Sequence, residues 1–334
     1  MIRRFFARHR PARPASPIDA QLRLVNDQSQ PNINDLWRAT KDIENLRLSV
    51  KALGYELARA LEPRLQAIPV DPPRVVGLYS KPATQADLET RWCRGWCAEL
   101  HERPRYHRRI WEFTYILQAL LEGEALTSSA RVLALGSAET AVLSHLASKN
   151  VRSVVSGPDA PRPRNDLVDQ ATFHRNVQYK PVSGSALVEG HEGFDACWSA
   201  GQAGAMGSIR QGMDFIVESM STLKPGGLAV HLFDFNYADD QRTIDNWSSV
   251  LFQRRHIEAL AAELKAAGHA PARLDFHAGH QPMDRFIDPP PYDTGQTEAF
   301  DRLWRDGWQA AHLKVAVDGF AVTSFGLICR KGSG

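Results

Sequence analysis

LKPGGLAVHLFDFN, residues 223–236, sets a tight KPGG turn ahead of an apolar run that ends in polar residues. A short, nearly unbroken apolar run of this kind predicts a strand buried on both faces. Working outward, Gly207–Leu223 predicts a helix with Ile209, Met213, Ile216, Val217 and Met220 on one face. Before it, RVLAL (131–135), VRSVV (151–155), VQYKPV (177–182) and FDACWS (194–199) predict strands one to four, with a helix over Glu139–Ser148 after the first. After it, Arg254–Ala267 predicts a helix closed by Gly268, RLDF (273–276) a sixth strand and FAVTSFGLICR (320–330) the last. Strands and helices alternating at this spacing specify an α/β fold with a parallel sheet covered on both faces.

Upstream, Leu36, Ile43, Val50 and Leu57 recur every seven residues, and so do Ala39, Leu46, Leu53 and Ala60. That pattern is a coiled-coil seam on a helix predicted over 33–62, capped by Asn34 or Asp35 and stopped by Pro63. It predicts a homodimer or heterodimer through residues 36–60; the competing reading is a long helix packed on its own domain. Residues 63–83 read as a Pro-rich linker. Residues 84–126 carry Trp92, Trp96, Tyr106, Trp111, Phe113 and Tyr115 at near-helical spacing, which predicts helices packed on the domain that follows. His107, Arg108 and Arg109 beside Trp111 are polar enough to line a pocket edge. Residues 1–32 open with five arginines ahead of the first acid, Asp19, and read as a disordered basic tail rather than a signal peptide.

Composition narrows the function classes. Lys and Arg number 40 against 38 Asp and Glu, so no global field favours nucleic acid. No apolar run is long enough to span a bilayer. Four cysteines, Cys93, Cys97, Cys197 and Cys329, are too few for a disulfide framework, which points to the reducing cytoplasm. Cys93 and Cys97 have no nearby His or Cys to complete a metal site, so no metal is expected.

The order of elements, with KPGG before the fifth strand and a terminal hairpin strand, resembles the class I S-adenosylmethionine (SAM)-dependent methyltransferases. More narrowly, the sequence is similar to a bacterial group of methyltransferase-domain proteins linked to surface-glycan synthesis. The resemblance rests on LWRATKDIENLRLSVKALGYELAR (36–59), TQADLETRW (84–92), PRYHRRIWEF (104–113), FDACWSAGQAGAMGSI (194–209), LKPGGLAVHLFDFN (223–236), PMDRFIDPPPY (282–292) and TSFGLICRK (323–331). It implies a Rossmann-like, seven-stranded methyltransferase domain over 127–331, with an N-terminal helical extension and a lid insertion at 277–312. It also implies SAM as cofactor and a polar or sugar substrate.

In that family SAM lies across the carboxyl ends of the strands. The positions implied for it are Gly136, Ser137, Ala138 and Glu139 in the first turn, Asp159 after strand two, Ser183 after strand three and Ser199 at the end of strand four. The chain departs from the family pattern at several of them. Ala138 stands at the second glycine, Ser156–Pro158 offers no acid, Ser183 keeps only a hydroxyl, and Gly204-Ala205 replaces a Glu-His pair. A hydrogen bond to a charged group is worth about 1.5–3 kcal/mol. Losing two acids therefore costs about 3–6 kcal/mol, or roughly a hundredfold to ten-thousandfold in affinity.

On the substrate side the resemblance implies His231 and Asp234 as candidate catalytic residues, with Asn236, Asp284, Asp288, Tyr292, His312 and Lys314 around the substrate. Strand alternation puts His231 and Phe233 on one face and Asp234 on the other, and His231 reads equally as a core histidine. Two functions stay open: a SAM-dependent methyltransferase acting on a glycan hydroxyl, or an inactive pseudo-methyltransferase serving as a subunit of an active relative or a glycosyltransferase. A nucleotide-binding oxidoreductase is disfavoured by the missing GxGxxG after strand one.

Overall fold

The structure is a computed structural model that describes residues 33–136, 139–182, 184–290, 292 and 311–333, the side chains of 33–36, 38, 39, 184 and 185 excepted. The tail over 1–32 and most of the lid insertion, residues 291 and 293–310, lie outside the described residues. The chain divides into two compact units, residues 1–52 and 53–334.

The first unit, from Ile33, is the opening part of helix α1 (Ile33–Ala67). Pro63 does not stop this helix as expected; it sits inside it. In the second unit the later part of α1 docks on its body through Tyr55, Ala58, Leu61 and Leu65. Gly54 allows the close approach, since a Cβ there would fall 2.0 Å from the Phe286 ring.

Seven principal strands form the sheet: β1 (Arg131–Leu135), β2 (Arg152–Gly157), β3 (Val177–Pro181), β4 (Phe194–Ala200), β5 (Leu223–Asn236), β6 (Lys314–Val317) and β7 (Phe320–Arg330). Their order is β3-β2-β1-β4-β5-β7-β6. The first five run parallel, and β7 lies antiparallel to both β5 and β6.

RLDF is not the sixth strand. Leu274 makes only a bridge to Ser80. The free edge of β7 is instead covered by three short antiparallel pieces: Ala270–Pro271 against Cys329 and Arg330, Lys81–Pro82 against Phe325 and Gly326, and β6 against Phe320–Val322. Two of the pieces end in proline, which has no N–H to continue a ladder and is tolerated at such an edge. The predicted linker thus contributes to the sheet.

Strand alternation sorts the side chains onto two cores. Val132, Ala134, Ala196, Trp198, Val230 and Leu232 pack beneath helices α2 (Arg91–Glu99), α3 (Arg108–Glu122) and α4 (Thr140–Ser148). Leu133, Leu135, Cys197, Ala229 and Phe233 pack beneath α5 (Ile209–Ser219) and α6 (Arg254–Ala266). The aromatic segment forms α2 and α3, as its spacing predicts. Trp96 donates to Gln118 at 2.8 Å and Trp111 to Asp87 at 3.1 Å, so both buried indoles are satisfied. No described helix is long and apolar enough to cross a membrane.

Helix α3 is locked to the sheet at Gly326. The Tyr115 hydroxyl lies 2.8 Å from Tyr79 O and 3.0 Å from Gly326 O, and a Cβ on Gly326 would stand 2.2 Å from its ring. Gly326→Ala should therefore cost about 1–3 kcal/mol by overpacking, read as a lowered urea midpoint with an unchanged m-value. An unchanged midpoint would show that Tyr115 is free to move.

Candidate active site

The carboxyl ends of β1, β4 and β5 open towards the start of α3, the place where α/β sheets hold ligands. Two consecutive arginines at the start of α3 bind the rim. The Arg109 guanidinium is 2.8 Å from the Glu139 carboxylate, at the start of α4. Arg108 is 2.7 Å from Asp234, near the end of β5, and 3.3 Å from Glu112. Burial opposes the charge on Arg108, but Asp234 and Glu112 outweigh it and raise its pKa further. Ser324 donates to the same Glu112 carboxylate. Asp234, Glu139 and Arg108 are half-buried and Arg109 is exposed, so the rim stays accessible.

Gly136 makes the tight turn after β1. Its φ of +69° is in the left-handed region that favours glycine, and its N–H donates to Ser156 O at 2.7 Å. The concavity above it is filled by the side chain of Gln202: a Cβ on Gly136 would fall 2.1 Å from Gln202 Oε1. Gln202 Nε2 in turn lies 3.3 Å from Met206 Sδ. At the end of β2, Gly157 packs against Gly136, and the Ser156 hydroxyl turns inward to donate to Leu187 O at 2.7 Å. Asp159 is exposed in the loop beyond Pro158. Glu139 is committed to Arg109. Ser137, Ala138 and Ser183 lie outside the described residues. Among the described residues, then, the Gln202 side chain takes the space over Gly136, and no carboxylate stands at the end of β2.

Several candidates are placed elsewhere. His231 is a core residue, 1 % exposed, with Nδ1 2.8 Å from the Ser199 hydroxyl and Nε2 2.9 Å from the Ser219 hydroxyl. Burial drives its pKa down to about 3, so the ring is neutral at pH 7 and both nitrogens are taken. Ser199, buried in that bond, faces α5 rather than the cleft. This corrects both assignments: strand alternation turns them away from Asp234.

The expected substrate residues are largely architectural. Asn236 is buried and ties down the loop after β5, donating to Arg242 O at 2.9 Å and accepting from Asp239 N at 3.1 Å. Asp284 accepts from the Gln85 N–H at 2.8 Å and the Gln281 N–H at 3.1 Å, and lies 4.0 Å from Lys314 Nζ. Lys314, wholly buried, donates to Ala83 O at 2.5 Å. These bonds hold the 81–88 segment, the 281–288 segment and β6 together. Asp288, 1 % exposed, accepts from His312 Nδ1 at 2.7 Å, and the Tyr292 hydroxyl donates towards Asp288 O and Ala316 O. His312 reaches the rim, where its ring lies 4.9 Å from that of His107. His107 caps α3 by accepting from the Arg109 N–H at 3.0 Å. Desolvation above all, then His312 and the three neighbouring arginines, holds His107 well below the usual histidine range.

The sequence reading missed Gln202 altogether, because nothing in the spacing marks a polar residue after a strand as a plug. It named His107, Arg108 and Arg109 as a pocket edge without their partners Asp234 and Glu139, which lie 126 and 30 residues away in the chain (234 − 108 and 139 − 109).

No protein-family model matches the sequence, and no curated protein matches it. Solved structures do. A Galdieria sulphuraria protein assigned as a sarcosine dimethylglycine methyltransferase is 16 % identical, with TM-score 0.45, over 67 % of this chain and 85 % of that one. The [4+2]-cyclase SpnF is 15 % identical, with TM-score 0.45, over 84 % and 97 %. A 1,6-didemethyltoxoflavin-N1-methyltransferase from Burkholderia thailandensis is 13 % identical, with TM-score 0.37, over 64 % and 78 %. Methyl transfer and cyclisation both appear among these names, and a shared fold does not choose between reactions. By its strand order and its helices on both faces, this chain has the Rossmann-like class I methyltransferase fold.

Proposed function

We propose that this chain is a pseudo-methyltransferase: a protein of methyltransferase fold that performs no SAM chemistry and serves as a non-catalytic subunit beside an active relative or a glycosyltransferase. The observation that supports this reading is the Gln202 side chain seated over Gly136, in the space where the fold holds its cofactor. The missing carboxylate at the end of β2 and the Arg109–Glu139 pair point the same way. A second reading, methyl transfer to a polar acceptor such as a glycan hydroxyl, is favoured by Asp234, held by Arg108 on the half-buried rim.

Calorimetric titration with SAM and with S-adenosylhomocysteine separates the two. The expected result is no heat and no thermal shift at about 1 mM ligand, given the roughly hundredfold to ten-thousandfold loss that two absent acids bring. Saturable binding at tens of micromolar would overturn the pseudo-methyltransferase reading and support methyl transfer.

A further inference from the structure

We propose that two copies of this chain associate through the first half of α1 as a parallel, in-register, two-stranded coiled coil. The inference is independent of whether SAM binds. Along α1, the heptad positions Ile43, Leu46, Val50 and Leu53 are 55 %, 64 %, 42 % and 71 % exposed. Four large apolar side chains in one stripe are a contiguous patch of the kind that marks an interface. They are not the face the helix uses on its own body. Tyr55, Ala58, Leu61 and Leu65, which dock the later turns, occupy other heptad positions, and of the seam residues Leu57 is drawn into that core. Leu36 and Ala39 are outside the described side chains.

The occupant follows from residue type and charge. β-Branched Ile43 and Val50 at the first core position, with Leu46 and Leu53 at the second, are the combination that favours two parallel strands. In a parallel pair, the residue just before each first core position faces the residue five further on in the other helix. That sets Asp42 against Arg47 of the second copy, twice by symmetry. An antiparallel overlap of the same stripe would set Asp42 against Glu56 and Arg47 against Arg47, like charges in both cases. Lys41 and Glu44, which pair within the helix at 2.6 Å, lie on the outer face and leave the seam clear.

The test uses the full chain. Sedimentation equilibrium is expected to give twice the 37.3 kDa chain mass for the wild type and the single mass for Leu46→Asp/Leu53→Asp. Both sites are exposed, so the variant should keep the wild-type circular dichroism and thermal transition. Orientation is read separately with Val50→Cys. The four native cysteines are buried, so mild oxidation reports on the new thiol, and a disulfide-linked dimer is expected only if the helices run parallel and in register. Three results would each overturn the proposal: a wild-type monomer at tens of micromolar, a dimer that survives the double Asp substitution, or a dimer of Val50→Cys that does not cross-link.

Discussion

Lowering the pH from 7 to 4.5 should destabilise the folded chain sharply, before most carboxylates titrate. His231 is buried and neutral, with a pKa pushed to about 3 by burial against an ordinary value of 6.5. His145 is pushed to about 4, by burial first and then by Lys149. A histidine whose folded pKa is depressed binds more protons unfolded than folded between the two values. Stability is therefore fully present above about pH 6.5 and is lost as pH falls towards the folded pKa. At pH 4.5 each fully buried histidine of this kind accounts for about 2–3 kcal/mol, from roughly two pH units at 1.36 kcal/mol each. Urea midpoints measured at steps between pH 7.5 and 4.5 should fall steadily. In His231→Gln the midpoint should start lower, because the Ser199 and Ser219 hydroxyls lose a well-shaped partner, and should then fall less steeply with acid. Parallel slopes for the two proteins would mean that His231 is not buried as a neutral ring.

The second large effect is expected at Asp284. Its carboxylate accepts two backbone N–H groups and faces the ammonium of Lys314, which is wholly buried. Asp284→Ala would strand those donors and take away the carboxylate paired with the ammonium, a loss of about 3–5 kcal/mol, against a total stability of about 5–15 kcal/mol for a folded domain. Lys314→Met in the same background removes the stranded charge and should restore part of that loss. In a double-mutant cycle the two changes should be strongly non-additive, and additivity within about 0.5 kcal/mol would show that the pair is not coupled. Lys314 also gives an alkaline signature. Burial above all lowers its pKa to about 8, so the folded state binds fewer protons than the unfolded one between about pH 8 and 10.5. Stability contributed through this group rises over that window, and Lys314→Met should flatten the rise.

His231, Asp284 and Lys314 all stand where the sequence offers site candidates, and the reason they changed role is geometric. His231 and Asp234 are three residues apart on one strand, and alternation alone sends them to opposite faces. Which face meets α5 and which meets α3 is a property of the helix packing, not of the strand. Asp284 and Asp288 read as part of a polar lid, with Lys314 just beyond it, because charged residues in and beside a Pro-rich stretch are usually exposed. In the fold they close on one another and on residues 81–88, where burial makes them struts.

The fold class, the parallel run of β1 to β5, the helices between them and the heptad spacing on α1 were all legible in the sequence. Each follows from local periodicity, which a single element carries within itself. The composite edge beside β7, the neutral core role of His231, the arginine pairs across the rim and the Gln202 plug over Gly136 were decided by tertiary structure. Each depends on groups far apart in the chain meeting at one place, and no spacing along the chain encodes that meeting.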